Sequence, residues 1–537
     1  MKCRAKKSGQ SEVKVRAKKE SIKIEEKFED ELLDIVYDTI KIGKQALVFV
    51  NTKQRAEKTA EFIAKNLKLK SEHHEKLAEE ALNALPRPTK QCEKLAYCLK
   101  SGIAFHHSGL VSKQRHLIEE NFRKGVIKVI CCTPTLALGV DLPAFRVIVR
   151  DLKRYSPRGM NWIPVLEVQQ MFGRAGRPKY DKEGQAICFA SSESEIMGLV
   201  EHFILGEPED IYSKLAVEPV FRTYLLSLIA TRITTTKSEI FDFFRKTLWA
   251  FQFGDFKRIE ELINSNLNLL KRWNFIKSES DDFASALEFS KEEKFTATLL
   301  GKRVAELYLD PLTAHYLIKN LLKQKEKTEF SLIQLCTHTL ELRPYLNVKV
   351  KEFDDYEELV SKFEDEILDE IPNSYDEDYD DFLNAFKTAM VFYDWMDEVD
   401  EELLLEKYSI RPGELHSKIE ILDWLLYGCH EISLILKLKG ILNLINKTRL
   451  RLRYGVREEL LPLLKIVGIG RVRARKLFNN NIKTIGELKK TPYSLLSKLL
   501  GEKTAEKIKE QIEEDFKNLK DKENMPIKRF FEDFNDL

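Results

Sequence analysis

The chain has 537 residues, 43% of them hydrophobic and 32% charged, with 88 basic against 86 acidic side chains and a formal net charge of +2. That length suits roughly three to five domains at about 100–200 residues each, and a balanced total charge says nothing about a nucleic-acid partner, which only local charge can indicate. No apolar run reaches the roughly 18 residues a membrane span needs, and eight cysteines without framework spacing point to a reduced, cytoplasmic setting with no metal site expected.

Residues 1–25 read as a flexible basic arm: the first 20, MKCRAKKSGQSEVKVRAKKE, carry eight basic and two acidic side chains and suit either nucleic-acid contact or a solvated tail. They lack the apolar segment of a secretory signal. From about Glu31 to Ser192 short apolar strands alternate with amphipathic helices. QALVFVN (45–51), IAFHHSG (103–109), IKVICCT (127–133), FRVIVRD (145–151) and GQAICFAS (184–191) are the strands. The alternation predicts an α/β unit with a parallel sheet covered on both faces, whose ligands sit at the carboxyl ends of the strands. After about Leu205 long amphipathic helices dominate. Residues 206–300 read as several helices whose end, WNFIKSESDDFASALEFS, suits a small wing. Residues 301–450 read as a helical bundle with an acidic run at 352–382, expected on a solvent face. A smaller basic helical unit follows from about Leu452.

QQMFGRAGRP (169–178) carries the first chemistry. On a continuing helix Gln170, Arg174 and Arg177 fall at i, i+4 and i+7 and share one face. Glycine costs about 1 kcal/mol in a helix interior, so Gly173 and Gly176 suggest a contact that needs the space. The planar guanidinium fork suits phosphate oxygens and can stabilise charge on a transferring γ-phosphoryl group. A surface helix with structural salt bridges is the plainer alternative. CCTPTLALGVDLP (131–143) adds the hydroxyls of Thr133 and Thr135 at a strand end. Gly139 permits close backbone approach, and the Asp141 carboxylate can accept from a sugar hydroxyl or hold an arginine.

FVNT (49–52), FHHSGL (105–110), TPTLALGVDLP (133–143) and QMFGRAGRP (170–178) resemble, in order and spacing, motifs IV, IVa, V and VI of superfamily-two helicases. They are most similar to the archaeal superkiller-like DNA helicases of the HelQ-related group. YSIRPGELHSKIEILDWLLYGCHEI (408–432) and YGVREELLPLLKIVGIGRVRARKLF (454–478) also resemble that group, so the likeness covers nearly everything beyond about residue 25. It implies a second RecA-like lobe over 26–205, a winged helix over 206–300, a helical ratchet bundle over 301–450, a helix-hairpin-helix DNA-binding domain over 451–520 and a tail at 521–537.

In such enzymes ATP and Mg²⁺ are held between two RecA-like lobes. The resemblance places Arg174 and Arg177 at the γ-phosphate, Gln170 between nucleotide and DNA, and Gly139 and Asp141 on the ATP side. It places Thr52, His107, Thr133 and Thr135 along the DNA. No G-x-x-x-x-G-K-[ST] run occurs, and DEVD (397–400) follows a helical stretch rather than an apolar strand, so it reads as a helix terminus. Without a phosphate loop and Mg²⁺ ligands the arginines cannot turn over ATP. A first RecA-like lobe is therefore expected from another chain, unless the frame is truncated.

The resemblance also places a strand-separating hairpin in VRDLKRYSPRGMNWIPVLEV (149–168). Tyr155 and Trp162 can stack on bases there, at roughly 1–3 kcal/mol per base, while Arg154 holds phosphate. On the implied ratchet helix Trp424 is expected to stack on a base, or to join core-like Leu422 and Leu425. Where the family tends to carry an arginine two turns earlier this chain has Ser417, followed by Lys418, which is expected to contact DNA. In KIVGIGRVRARKLF (465–478) Gly468 and Gly470 bracket a turn that opens helix N–H groups to phosphate, with Arg471 and Arg473 following. The combined expectation is the DNA-engaging part of a 3′-to-5′ DNA helicase acting in repair or at stalled forks on single-stranded and branched DNA. The alternatives are an RNA helicase of the same lineage and a non-enzymatic, structure-specific DNA-binding protein.

Overall fold

In the computed structural model, residues 2–5, 15–18, 24–69, 71–85, 87–156, 159–177, 181–215, 217–278 and 293–511 are described. Within the expected basic arm, β1 (Lys2–Ala5) pairs antiparallel with β2 (Val15–Lys18). The expected tail at 521–537 lies outside the described residues.

The strands of the α/β unit are β3 (Ala46–Phe49), β4 (Ile103–His106), β5 (Val129–Cys132), β6 (Arg146–Val149), the hairpin pair β7 (Lys153–Ser156) and β8 (Gly159–Trp162), and β9 (Gln185–Cys188). Five of them form one parallel sheet in the order β4-β5-β3-β6-β9. Every residue of β3 to β6 is buried, as continuous apolar runs are in a sheet covered on both faces. Edge strand β9 is only partly covered. Truncating a fully buried residue such as Leu47 to alanine costs about 2–5 kcal/mol.

Helices accompany these strands, five of them begun by a side-chain cap. They are α1 (Glu31–Lys41), α2 (Lys53–Leu67), α3 (Glu72–Leu82), α4 (Lys90–Leu99), α5 (Ser112–Arg123), α6 (Thr135–Gly139), α7 (Val165–Phe172) and α8 (Glu193–Leu199). Asp30 accepts from the Leu33 N–H, Thr52 from Arg55 and Thr89 from Cys92. A four-residue strand spans about 13 Å, so residues entering and leaving the strands line opposite edges of the sheet.

By contacts the chain divides into two units, Met1–Ile211 with Ile410–His416, and Tyr212–Ser409 with Ser417–Leu537. The short stretch 410–416, expected inside the bundle, thus belongs with the sheet. Among its described residues the second unit is built of helices, with one antiparallel strand pair, Ile276–Ser278 against Phe295–Ala297, where a wing was expected. Its longest helix, Pro412–Ile435, starts in the first unit and continues in the second. A compact C-terminal core gathers Val456, Leu463, Leu477, Leu488 and Ile508. Among the described residues no helix is long and apolar enough to cross a membrane.

Candidate nucleotide edge and nucleic-acid contacts

The helix α7 stops at Phe172, with Gly173 as its cap. Arg174 and Arg177 therefore do not continue a helical face with Gln170, which sits half-buried in the last turn of α7. Beyond that cap the chain turns at Gly176, whose φ of 92° is a left-handed conformation glycine adopts without steric cost. A Cβ on Gly184 would meet the Ala175 carbonyl carbon at 2.3 Å, so that residue lets the turn pass.

The turn is tied to the strand entry of β6. Ala144 donates to the Arg174 carbonyl at 3.0 Å and Gly176 to the Ala144 carbonyl at 2.7 Å. The arginines consequently lie at the amino ends of the strands, not at the carboxyl ends expected for ligands of such a sheet. Arg174 Nε donates to the Ala137 carbonyl at 3.1 Å, and its Nη1 is 3.4 Å from exposed Asp141. Arg177 donates to Asp181 through Nε at 2.8 Å and to Gln45 at 2.8 Å, and Lys44 shares Asp181 at 2.6 Å. The bonds from Arg177 hold the Asp181 carboxyl well down, at about 2. Gln45, Lys44, Asp181 and Gly184 were not singled out from the sequence. The i+4 spacing of Asp181 from Arg177 was the one available signal.

Arg174 and Arg177 are each about one-fifth exposed and already hold internal acceptors. Gly139 is exposed with open space around its α-carbon. No group of three or more His, Cys, Asp or Glu side chains suited to a metal ion occurs among the described residues.

The hydroxyl set lies at the opposite edge. Thr133 Oγ1 and Thr135 Oγ1 are 2.9 Å apart beyond β5, with Thr135 exposed and Thr133 buried. Exposed Thr52 follows β3 and caps α2. His107 departs from the expectation of a residue lying along the DNA: it is fully buried in this structure. Its ring stacks on Phe105 at 5.5 Å, Nδ1 accepts from the Gly109 N–H at 3.1 Å, and Nε2 lies 3.3 Å from Glu57 Oε1. Burial keeps the imidazole below its usual range despite that carboxylate.

The hairpin β7–β8 forms with Lys153 opposite Trp162. The Trp162 ring is partly exposed and packs on His202 and Phe203, with the Lys153 ammonium 4.3 Å from its centroid. Arg154 donates to Glu167 at 2.6 Å. Tyr155 lies in β7, its side chain outside the described residues.

In the second unit Trp424 is half-buried and donates its indole N–H to the Leu307 carbonyl at 3.1 Å. The Lys418 ammonium donates to the Leu342 and Pro344 carbonyls at 3.0 and 2.7 Å. Gly468 has a φ of 90° and Gly470 caps the helix Arg471–Asn479 without a side-chain bond. Arg473 is exposed there. Arg471 departs from the expectation. It lies 4.5 Å from the Trp395 ring centroid and donates to the Val399 carbonyl at 2.8 Å, so packing rather than solvent takes its charge. DEVD ends a helix, with Asp397 and Glu398 pairing with Arg457 and Arg475.

Four family matches cover much of the chain: a helicase conserved C-terminal domain over residues 85–179, a helix-turn-helix domain over 187–277, an archaeal helicase domain 4 over 330–455 and a SAM-like helix-hairpin-helix tandem over 460–514. The chain is 40% identical over 460 residues to the ATP-dependent DNA helicase Hel308 of Pyrococcus horikoshii, covering 85% of this chain and 62% of the relative. For the protein of the same name from Pyrococcus abyssi the figures are 39% over 475 residues, 87% and 64%. For that of Methanococcus vannielii they are 36% over 520 residues, 90% and 67%. The chain thus spans 62–64% of the length of the two Pyrococcus relatives.

Proposed function

Since the chain belongs to the family of Hel308 ATP-dependent DNA helicases, we propose that it is the DNA-engaging part of an ATP-driven 3′-to-5′ DNA helicase acting in repair or at stalled forks. In this reading residues 26–205 are a second RecA-like lobe. ATP turnover needs a first lobe, from another chain or from the share of its relatives' length that this chain does not span. The domains at 206–300, 301–450 and 451–520 serve as winged helix, ratchet bundle and helix-hairpin-helix grip on single-stranded and branched DNA.

The carrying observation is the contact between the TPTLALGVDLP loop and the GRAGR turn, where Arg174 donates to the Ala137 carbonyl at 3.1 Å and its Nη1 is 3.4 Å from Asp141. α6 leaves the hydroxyl edge and its end reaches the arginine edge, so one short helix links the proposed DNA and phosphate contacts. Bound ATP would supply the phosphoryl group whose departure drives strand movement. Arg174 and Arg177 would orient its terminal phosphate, and Thr52 and Thr135 would hold the DNA backbone.

The test is ATP hydrolysis with and without an added first lobe carrying a phosphate loop, in the presence of single-stranded DNA. No turnover is expected from the chain alone and DNA-stimulated turnover from the pair. Robust hydrolysis by the chain alone, or none from the pair, overturns the reading. Matched RNA and DNA strands in the same assay separate DNA from RNA specificity. The engagement of Arg177 with Asp181 favours a second reading, a non-enzymatic DNA-binding protein. On that reading Arg174→Ala changes no activity of the pair.

A further inference from the structure

Glu57 on α2 is a buried carboxylate whose neighbours come from distant parts of the chain, with Lys94 Nζ 3.8 Å from its Oε2. Its Oε1 accepts from Gln91 Nε2 at 3.1 Å and from Arg411 Nε at 3.1 Å, and faces His107 Nε2 at 3.3 Å. A buried charge is retained only where partners compensate its lost hydration. Burial pushes Glu57 up, and His107 and Arg411 outweigh it, bringing the carboxyl to about 2. Arg411 comes from Ile410–His416, which belongs by contacts to the sheet unit.

The backbone around this network fits closely. Gly413 donates to the Gly109 carbonyl at 3.0 Å. A Cβ on Gly413 would meet the Leu110 and Ser108 carbonyl oxygens at 2.4 and 2.5 Å, and one on Gly109 would meet Arg411 Cδ at 2.4 Å. Lys53 pairs with Glu414, and Glu414 also accepts from the Arg411 N–H at 3.0 Å. The loop after β4 and the start of the helix Pro412–Ile435 therefore hold a single register. That helix has 24 residues and carries Lys418 and Trp424 further along.

We infer that Arg411, Glu57 and His107 are positioning residues of a clasp that fixes the register of the helix Pro412–Ile435 to the loop His106–Leu110, so that DNA engagement along the helix is felt at the motor lobe. The inference rests on the proposed function, because it takes DNA as the ligand of the helix. None of the three residues touches DNA in it. Coupling of this kind needs a measured response at the second site.

The experiment is amide hydrogen exchange of the full chain with and without single-stranded oligothymidylate. In the wild type, DNA is expected to slow exchange at residues 417–426 and at 106–110. In Arg411→Gln, protection at 417–426 is retained and the DNA-dependent change at 106–110 is lost. If Arg411→Gln does not fold, the doubly neutral Glu57→Gln/Arg411→Gln variant leaves no unpaired buried charge and is expected to show the same loss. Protection at 417–426 alone in the wild type overturns the clasp, as does an unchanged response at 106–110 in the variant. No DNA effect anywhere in the wild type overturns the DNA-binding reading and the clasp together.

Discussion

Arg177 and Asp181 are bound to each other twice over: the guanidinium Nε donates to Asp181 at 2.8 Å and the Arg177 backbone N–H donates to the same oxygen at 3.1 Å. The Asp181 side chain is almost fully covered, so an arginine expected to meet a phosphate is also a structural tie between the GRAGR turn and Lys44.

That tie predicts acid sensitivity of a definite sign. Asp181 titrates at about 2 in the folded chain against an ordinary 3.8, so folding favours its charged form. The stabilisation is complete above the unfolded value and is lost as pH falls from about 4 toward 2. It is on the order of 2 kcal/mol. Asp181→Asn should lower the thermal midpoint at pH 7, and the gap to wild type should narrow as pH falls through that window. A gap independent of pH down to 2.5 would show that charge at Asp181 contributes nothing.

Arg174 offers a cleaner separation of roles. Its partners are the Ala137 carbonyl and the exposed Asp141, so truncation leaves no buried charge behind. Arg174→Ala should preserve folding and leave single-strand affinity within about two-fold. Turnover by the pair with a first lobe should fall by about 10³-fold or more, the range for loss of an arginine that stabilises a transferring phosphoryl group. Equal loss of DNA affinity would place Arg174 on the DNA instead.

Among the arginines after Gly470, position decides the outcome. Arg473 is exposed and donates to the Gly468 carbonyl at 2.7 Å. Arg475 is bound to Glu398 at 2.6 and 2.8 Å and Arg471 packs on Trp395. Arg473→Ala should weaken DNA binding and reduce the steepness of its salt dependence by about one unit in the log–log slope. Arg471→Ala and Arg475→Ala should lower the unfolding temperature and leave that slope unchanged. The reverse pattern in a salt titration would assign the phosphate contact to Arg475.

The inner strands were legible because each is covered on both faces and so is apolar throughout, as ALVF and VICC are. The end of α7 was not read, although Gly173 stood there as a stop signal, because the i, i+4, i+7 spacing of Gln170, Arg174 and Arg177 suggested a continuing face. The burial of His107 was not legible at all. Arg411, which helps compensate Glu57 beside it, lies 354 residues from Glu57 in sequence, and nothing local to FHHSGL announces such a partner. Arg471 misled for a similar reason: a cationic run predicts a charged surface, and the Trp395 ring that takes one of its members belongs to a distant helix.

Trp424 separates a base-stacking role from a packing role. The ring is half-buried and its N–H is committed to the Leu307 carbonyl, so part of the indole serves the bundle and part faces outward. Trp424→Phe removes the hydrogen bond and keeps an aromatic face. Trp424→Ala removes both. If the exposed face stacks on a base, the alanine variant should lose about 1–3 kcal/mol of single-strand affinity and the phenylalanine variant much less. Both should lose stability through the Leu307 carbonyl left without its donor, at about 1 kcal/mol or more. Fluorescence anisotropy with labelled oligothymidylate reads the first quantity and thermal unfolding the second. Full affinity in Trp424→Ala, with only the melting temperature lowered, would leave Trp424 a packing residue and remove the helix Pro412–Ile435 from the DNA path at that point.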